Sequence, residues 1–189
     1  MRKWKRVETA DGVRFRSALD SHEAALLKNL VASMIGLLEE RESSSPPDEL
    51  EQITGMKTGN SERPDNATLQ RLLPDFSKPD DAVPGADDSL NAALRSLHEP
   101  AIIDAKRVAA QQLLDTLPDG GGRFELTEDA ANAWTAAVND LRLALGTMLD
   151  IRPDGPDRLP DDHPLAPHFD VYQWLTVLQE YLVLALMGS

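Results

Sequence analysis

The sequence predicts a mainly α-helical protein: a single-domain bundle of about six helices with a small N-terminal β-hairpin. Three observations predict it. Hydrophobic residues make up 41% of the chain but aromatics only 5%, so leucine and alanine, both strong helix formers, must fill most of the core. Apolar residues recur at spacings of three and four over several long stretches, the period of an amphipathic helix. Breakers rich in Pro, Gly and Asp separate those stretches. Residues 1–189 read as one domain. A basic β element covers 1–18, a helical part 19–73 and a mobile Pro/Asp loop 74–88. A second helical part, 89–189, carries its own Pro/Asp loop at 152–168.

Val13 and Phe15 alternate with Arg14 and Arg16, as in a half-buried strand. Asp11-Gly12 supplies the hairpin turn. Asp20 then caps a helix, with Glu23 three residues on completing a capping box. Leu27, Leu30, Met34 and Leu37 form its apolar face, and Glu39, Glu40, Arg41 and Glu42 end it in solvent. A short helix is expected from Pro47 to Ile53. Asn66 caps another through Leu69, Leu72 and Leu73. From Asp88 a helix carries Leu90, Leu94 and Leu97 until Pro100 ends or kinks it. The next holds Ile102, Ile103, Val108, Leu113, Leu114 and Leu117 and stops at Gly120-Gly121-Gly122. Phe124-Glu125-Leu126 is a short extended piece. Thr127 caps the clearest helix, whose core stripe is Trp134, Val138, Leu141, Leu145 and Met148. The last helix runs from about Asp170 to Met187 and is apolar nearly all round. Its Trp174, Leu178, Tyr181 and Leu182 therefore belong to the core or to a homodimer interface.

Charge is sharply segregated. Arg2, Lys3, Lys5, Arg6, Arg14 and Arg16 oppose only Glu8 and Asp11 in the first sixteen residues. That is +4, which leaves −17 for the rest of a chain whose total is −13. An acidic body repels the phosphate backbone, so DNA contact is open only to the basic N-terminus. Its partner is nucleic acid, with Trp4 stacking on a base, or an acidic protein surface, or the chain's own acidic body.

No catalytic, cofactor-binding or metal-ligating residue is assigned. Cysteine is absent, which removes thiol nucleophiles, thiolate ligands and disulfides within this chain. Asp161, Asp162, His163, His168 and Asp170 gather metal-ligand chemistry. Pro164 and Pro167 deny them helical spacing, so the segment reads as a solvated loop leading to an N-cap. Gly120-Gly121-Gly122 lacks the Lys-Ser/Thr of a phosphate loop. A helix-turn-helix there would place acidic Glu128 and Asp129 against DNA. The most apolar run, Tyr181 to Met187, is too short for about 30 Å of hydrocarbon, and a cytoplasmic location is expected.

Met1-Arg2-Lys3-Trp4-Lys5-Arg6-Val7, the stretch His22 to Leu30, Asp48-Glu49-Leu50, Leu72-Leu73-Pro74-Asp75, Ala133-Trp134, the stretch Asn139 to Gly146, and Tyr172-Gln173-Trp174-Leu175-Thr176 resemble an actinobacterial family. These are the AosR-type oxidative-stress regulators, earlier catalogued as a domain of unknown function. The resemblance implies a non-enzymatic cytosolic regulator of the antioxidant response. It would act through the transcription machinery, on a sigma factor or RNA polymerase. Members are often encoded beside the ClpS adaptor, so the resemblance also allows an accessory role in Clp-type proteolysis. A redox-responsive member is expected to sense through a cysteine pair. Here that leaves methionine oxidation at Met34, Met56, Met148 or Met187 as the fallback.

Overall fold

The computed structural model describes residues 3–44, 58–77, 86–152, 159–160 and 162–188. Strands β1 (Lys5–Thr9) and β2 (Gly12–Leu19) form the expected hairpin. Gly12 turns it with a φ of 101°, a value natural to glycine. The helices are α1 (Ser21–Ser43), α2 (Ala67–Leu72), α3 (Ala86–Thr116), α4 (Glu128–Met148) and α5 (Ala166–Leu186). Five helices thus stand among the described residues where about six were expected. The segment expected as a helix from Pro47 to Ile53 lies outside them, as do residues 78–85 and 153–158 of the two Pro/Asp loops.

The helix starts follow the capping logic. Asp20 accepts the Glu23 N–H at 2.8 Å, and the Glu23 carboxylate accepts the Asp20 N–H at 2.9 Å. Donation from the Glu23 N–H is the main reason the Asp20 carboxyl lies below its ordinary value of 3.8. Asn66 accepts from Thr68 and Leu69, and Thr127 from Ala130. The last helix is the exception. It starts at Ala166 with no side-chain cap, so Asp170 sits inside it.

The hairpin is extended to a sheet. Strand β3 (Gly122–Leu126) pairs antiparallel with β2, giving the order β1-β2-β3. The triple glycine therefore leads into a strand, which removes the helix-turn-helix reading. A Cβ on Gly121 would stand 2.6 Å from the Asp20 carbonyl carbon. Glycine there lets the start of β3 press against the turn into α1.

Helix α3 does not end at Pro100, one of the two outcomes expected there, but runs on through it, so the two helices expected are one. An interior proline leaves the carbonyl of residue i−4 without its donor and costs about 3 kcal/mol. The carbonyl so orphaned is that of Ser96, and the Gly59 N–H occupies it at 2.8 Å. Gly59 reaches it because it has no side chain. A Cβ there would lie 2.8 Å from Pro100 Cδ.

A buried ionic cluster lies one residue away. Glu99, 2% exposed, accepts from Arg41 at 2.8 Å and from Arg95 at 2.8 Å. Arg95 also meets Asp75 at 2.6 Å and the Leu73 carbonyl. Arg41 does not end α1 in solvent but is buried and bonds the Glu62 carbonyl as well. Phe76 and Ser77 donate their N–H groups to the Asn91 side chain at 2.9 Å. Residues 74–77, expected as part of a mobile loop, are therefore pinned to α3, and residues 86–88 belong to the helix.

One apolar core runs from Trp4 to Ala185. Helix α4 is its axis, packed on α2, α3, α5 and the sheet. On α1 the buried stripe is Ala24, Leu27, Val31, Met34 and Leu38; Leu27 and Met34 are buried as expected, and Leu30 and Leu37 are half-buried. Met148 is 51% exposed, not core. On α5, Leu178 and Leu182 are fully buried within the chain, Trp174 and Tyr181 are half-buried, and Val177 and Leu184 face out, as does Met187 just after it. No helix among the described residues is long and apolar enough to cross a membrane.

Replacing Gly59 with alanine should destabilise the protein by about 1–3 kcal/mol, through overpacking on the rigid Pro100 ring and loss of the bond to Ser96. Urea unfolding checks this as a lower midpoint with an unchanged slope. A variant as stable as the parent would contradict the contact.

Candidate functional site: a basic sheet face

The strand register sorts the N-terminal cations. Lys5 lies opposite Arg16, Arg16 opposite Glu125, Val7 opposite Arg14 and Ala18 opposite Arg123. Directly paired residues project from the same side of a sheet, with Cβ atoms about 5 Å apart. One face of the sheet thus carries Lys5, Arg14, Arg16 and Arg123. The opposite face carries Phe15, Ser17, Leu19 and Leu126, all buried. The cationic face lies open: Lys5, Arg16 and Arg123 are exposed and Arg14 is half-buried.

Within that face Arg16 alone meets a carboxylate among the described residues, Glu125 at 2.9 Å. That pair is about half exposed on both sides, so it contributes little stability. Among the described residues Arg14 bonds only the backbone carbonyls of Asp11 and Val13. Lys5 and Arg123 meet no partner among the described residues. The pairing of Lys5 with Arg16 is a direct like-charge opposition, which weakens a sheet. Several cations elsewhere in the chain are paired with carboxylates: Lys106 with Asp140 at 2.7 Å, and Arg107 with Glu42 at 2.9 Å.

The remaining sequence candidates divide. Trp4 is 7% exposed and sits edge-on to Phe124 and Trp134, at 5.4 and 5.7 Å between ring centroids. Its ring faces are spent on the core, which corrects the expectation that it stacks on a base. Lys3 places its ammonium 5.1 Å from the Tyr181 ring, tying the chain start to α5. Arg6 shares the register of Phe15, but at the sheet edge it reaches the turn near Gly188. Arg2 lies outside the described residues. Sequence reasoning missed Arg123. Its signal was the alternation Arg123-Phe124-Glu125-Leu126, a two-residue period that places Arg123 beside Glu125 and away from Phe124.

Of the methionines, Met34 is buried, Met148 and Met187 are 51% and 73% exposed, and Met56 lies outside the described residues.

These features define a mainly helical, acidic protein with a compact cationic sheet presented to solvent. A family model described as Domain of unknown function (DUF2017) matches residues 1–186, and the chain belongs to that family. It is 72% identical over 196 residues to the Oxidative stress regulator AosR of Mycobacterium tuberculosis (strain ATCC 25618 / H37Rv), covering 100% of this chain and 89% of that protein. The Oxidative stress regulator AosR of Mycobacterium bovis is similar to the same extent. A counterpart from Mycobacterium leprae is 69% identical over 195 residues, covering 100% of this chain and 90% of its own. No solved structure matches the chain.

Replacing Trp4 with alanine should cost about 3–5 kcal/mol, because it removes a buried indole packed against two other rings. Denaturant unfolding measures the loss, and near-ultraviolet circular dichroism should lose the signal of the coupled aromatics. A loss below about 1 kcal/mol would mean that the ring is not in the core.

Proposed function

We propose that this chain is a non-enzymatic regulator of the oxidative-stress response that works through protein–protein contacts with the transcription machinery, on a sigma factor or RNA polymerase. The names of its relatives support the response. The observation that carries the mode of action is the cationic sheet face, whose Lys5 and Arg123 meet no partner among the described residues in a chain of net charge −13. Such cations are solvated at rest and ready to pair with carboxylates on a docking surface, which favours rapid and specific encounter. Their small number and the acidic body around them favour an acidic protein over DNA. DNA contact, if made within such a complex, falls to this face alone. With no cysteine in the sequence, the exposed thioethers of Met148 and Met187 are the accessible oxidisable sulfurs among the described residues. A homodimer would use the outward Val177 and Leu184 of α5 and Met187 at its C-terminal end, because Leu178 and Leu182 are occupied inside the chain. Light scattering at micromolar concentration tests that, and a monomer there removes the dimer.

The docking reading is tested by affinity capture with the full chain from its own cells, before and after peroxide, scoring sigma factors and RNA polymerase. Enrichment that falls about tenfold in the double variant Lys5→Glu, Arg123→Glu, the equivalent of ~1.4 kcal/mol, supports it. Both side chains are exposed, so the variant should fold normally. Capture of neither protein sinks the reading, and capture of ClpS or a Clp unfoldase instead moves the function to proteolysis.

A further inference from the structure

Two arginines away from the sheet also lack a carboxylate. Arg142 on α4 is half-buried and, among the described residues, held by neutral groups alone. Its Nε donates to Thr176 Oγ1 at 3.0 Å and its Nη1 to Gln179 Oε1 at 2.5 Å. Its guanidinium carbon stands 5.6 Å from the Tyr172 ring centroid. The position of this charge is therefore fixed while the charge itself is not neutralised. Arg71, in the last turn of α2, is exposed and meets no partner among the described residues.

Both line one open groove of about 400 Å³, with Leu143, Gly146, Thr147, Asp150, Ile151 and Tyr172. Asp150 is the one carboxylate in that lining, and Arg152 holds it at 2.6 Å. Two guanidiniums thus share a concave surface with no carboxylate among the described residues left over to balance them, in a chain with 32 acidic residues and 19 basic ones. The Tyr172 hydroxyl meets no partner among the described residues. Leu143 and Ile151 give the groove apolar sides.

We propose that this groove binds a small phosphate monoester. A dianion matches two guanidiniums, and Arg forms paired hydrogen bonds to phosphoryl oxygens. Arg142 is already immobilised by Thr176, Gln179 and Tyr172, so little side-chain entropy is lost when a ligand arrives. Arg71 closes on the phosphoryl group from α2, and the Tyr172 hydroxyl adds a donor. The organic part of the ester rests on Leu143 and Ile151. The volume falls in the range of small-ligand sites, roughly 300–1,000 Å³. The site is separate from the cationic sheet, so its failure leaves the docking reading untouched.

The test is amide NMR of the full chain, titrated at constant ionic strength with inorganic phosphate and, in a second arm, adenosine 5′-monophosphate. Saturable shifts centred on Gly146, Thr147 and Tyr172 are expected, with the ester binding more tightly than phosphate. Arg71→Glu should weaken both by about tenfold or more, the effect of losing one charge-assisted contact, while its spectrum otherwise matches the parent. Arg142→Lys keeps the charge but not the fork, and should weaken binding as well. Shifts that do not saturate, shifts confined to Lys5 and Arg123, or equal affinity in Arg71→Glu would each overturn the proposal. Saturation by phosphate with no gain from the ester would also overturn it, since the groove would then read the ion alone.

Discussion

The carboxylate of Glu99 is the fixed point on which the rest of the helical arrangement depends. It sits 2% exposed between the guanidiniums of Arg41 and Arg95. An ionised group so deeply buried is tolerable only with close opposite charges and hydrogen bonds, and losing one partner costs about 3–5 kcal/mol. Here the partners come from different parts of the chain. Arg41 ends α1, Arg95 lies one turn before Glu99, and Asp75 follows α2. The cluster thereby fixes the end of α1 and the polar segment around residues 58–77 against α3. That segment has little regular structure to hold it. The same segment brings the Gly59 N–H to the Ser96 carbonyl that Pro100 leaves without a donor. Arg71 is carried on α2, whose Leu69 and Leu72 are buried in the core.

A second constraint acts at the other end of the molecule. Strand alternation gives each residue of β1 to one face or the other, so packing and charge are assigned together. Trp4 enters the aromatic group with Phe124 and Trp134, and Lys5 is thereby turned outward. The Phe15 side of β2 does the same for Arg14 and Arg16. The cationic face is thus held in place by the hydrophobic one, and a one-residue slip in register would send arginines into the core.

Local signals in the sequence were legible because their physics is local. Asp20, Asn66 and Thr127 each satisfy backbone donors within three residues of themselves, and the structure places all three at helix starts. What was not legible depends on groups distant in sequence. Arg41 stands in a run of charges that reads as solvated, and only Glu99, 58 residues away, explains its burial. Pro100 reads as a break until Gly59 supplies the missing donor. Met148 continues an apolar stripe by spacing, but its side chain is 51% exposed. Of the sheet face, Lys5, Arg14 and Arg16 could be named from the sequence. Arg123 needed the pairing of β2 with β3, more than a hundred residues apart.

Cations gathered on one small sheet of a strongly acidic body give the molecule a permanent electric dipole. Such a particle rotates as it diffuses toward a negative surface and arrives sheet first, so its orientation is partly set before contact. The torque acts over the Debye length, about 8 Å at physiological ionic strength. The carboxylates elsewhere turn away encounters made with the wrong side forward.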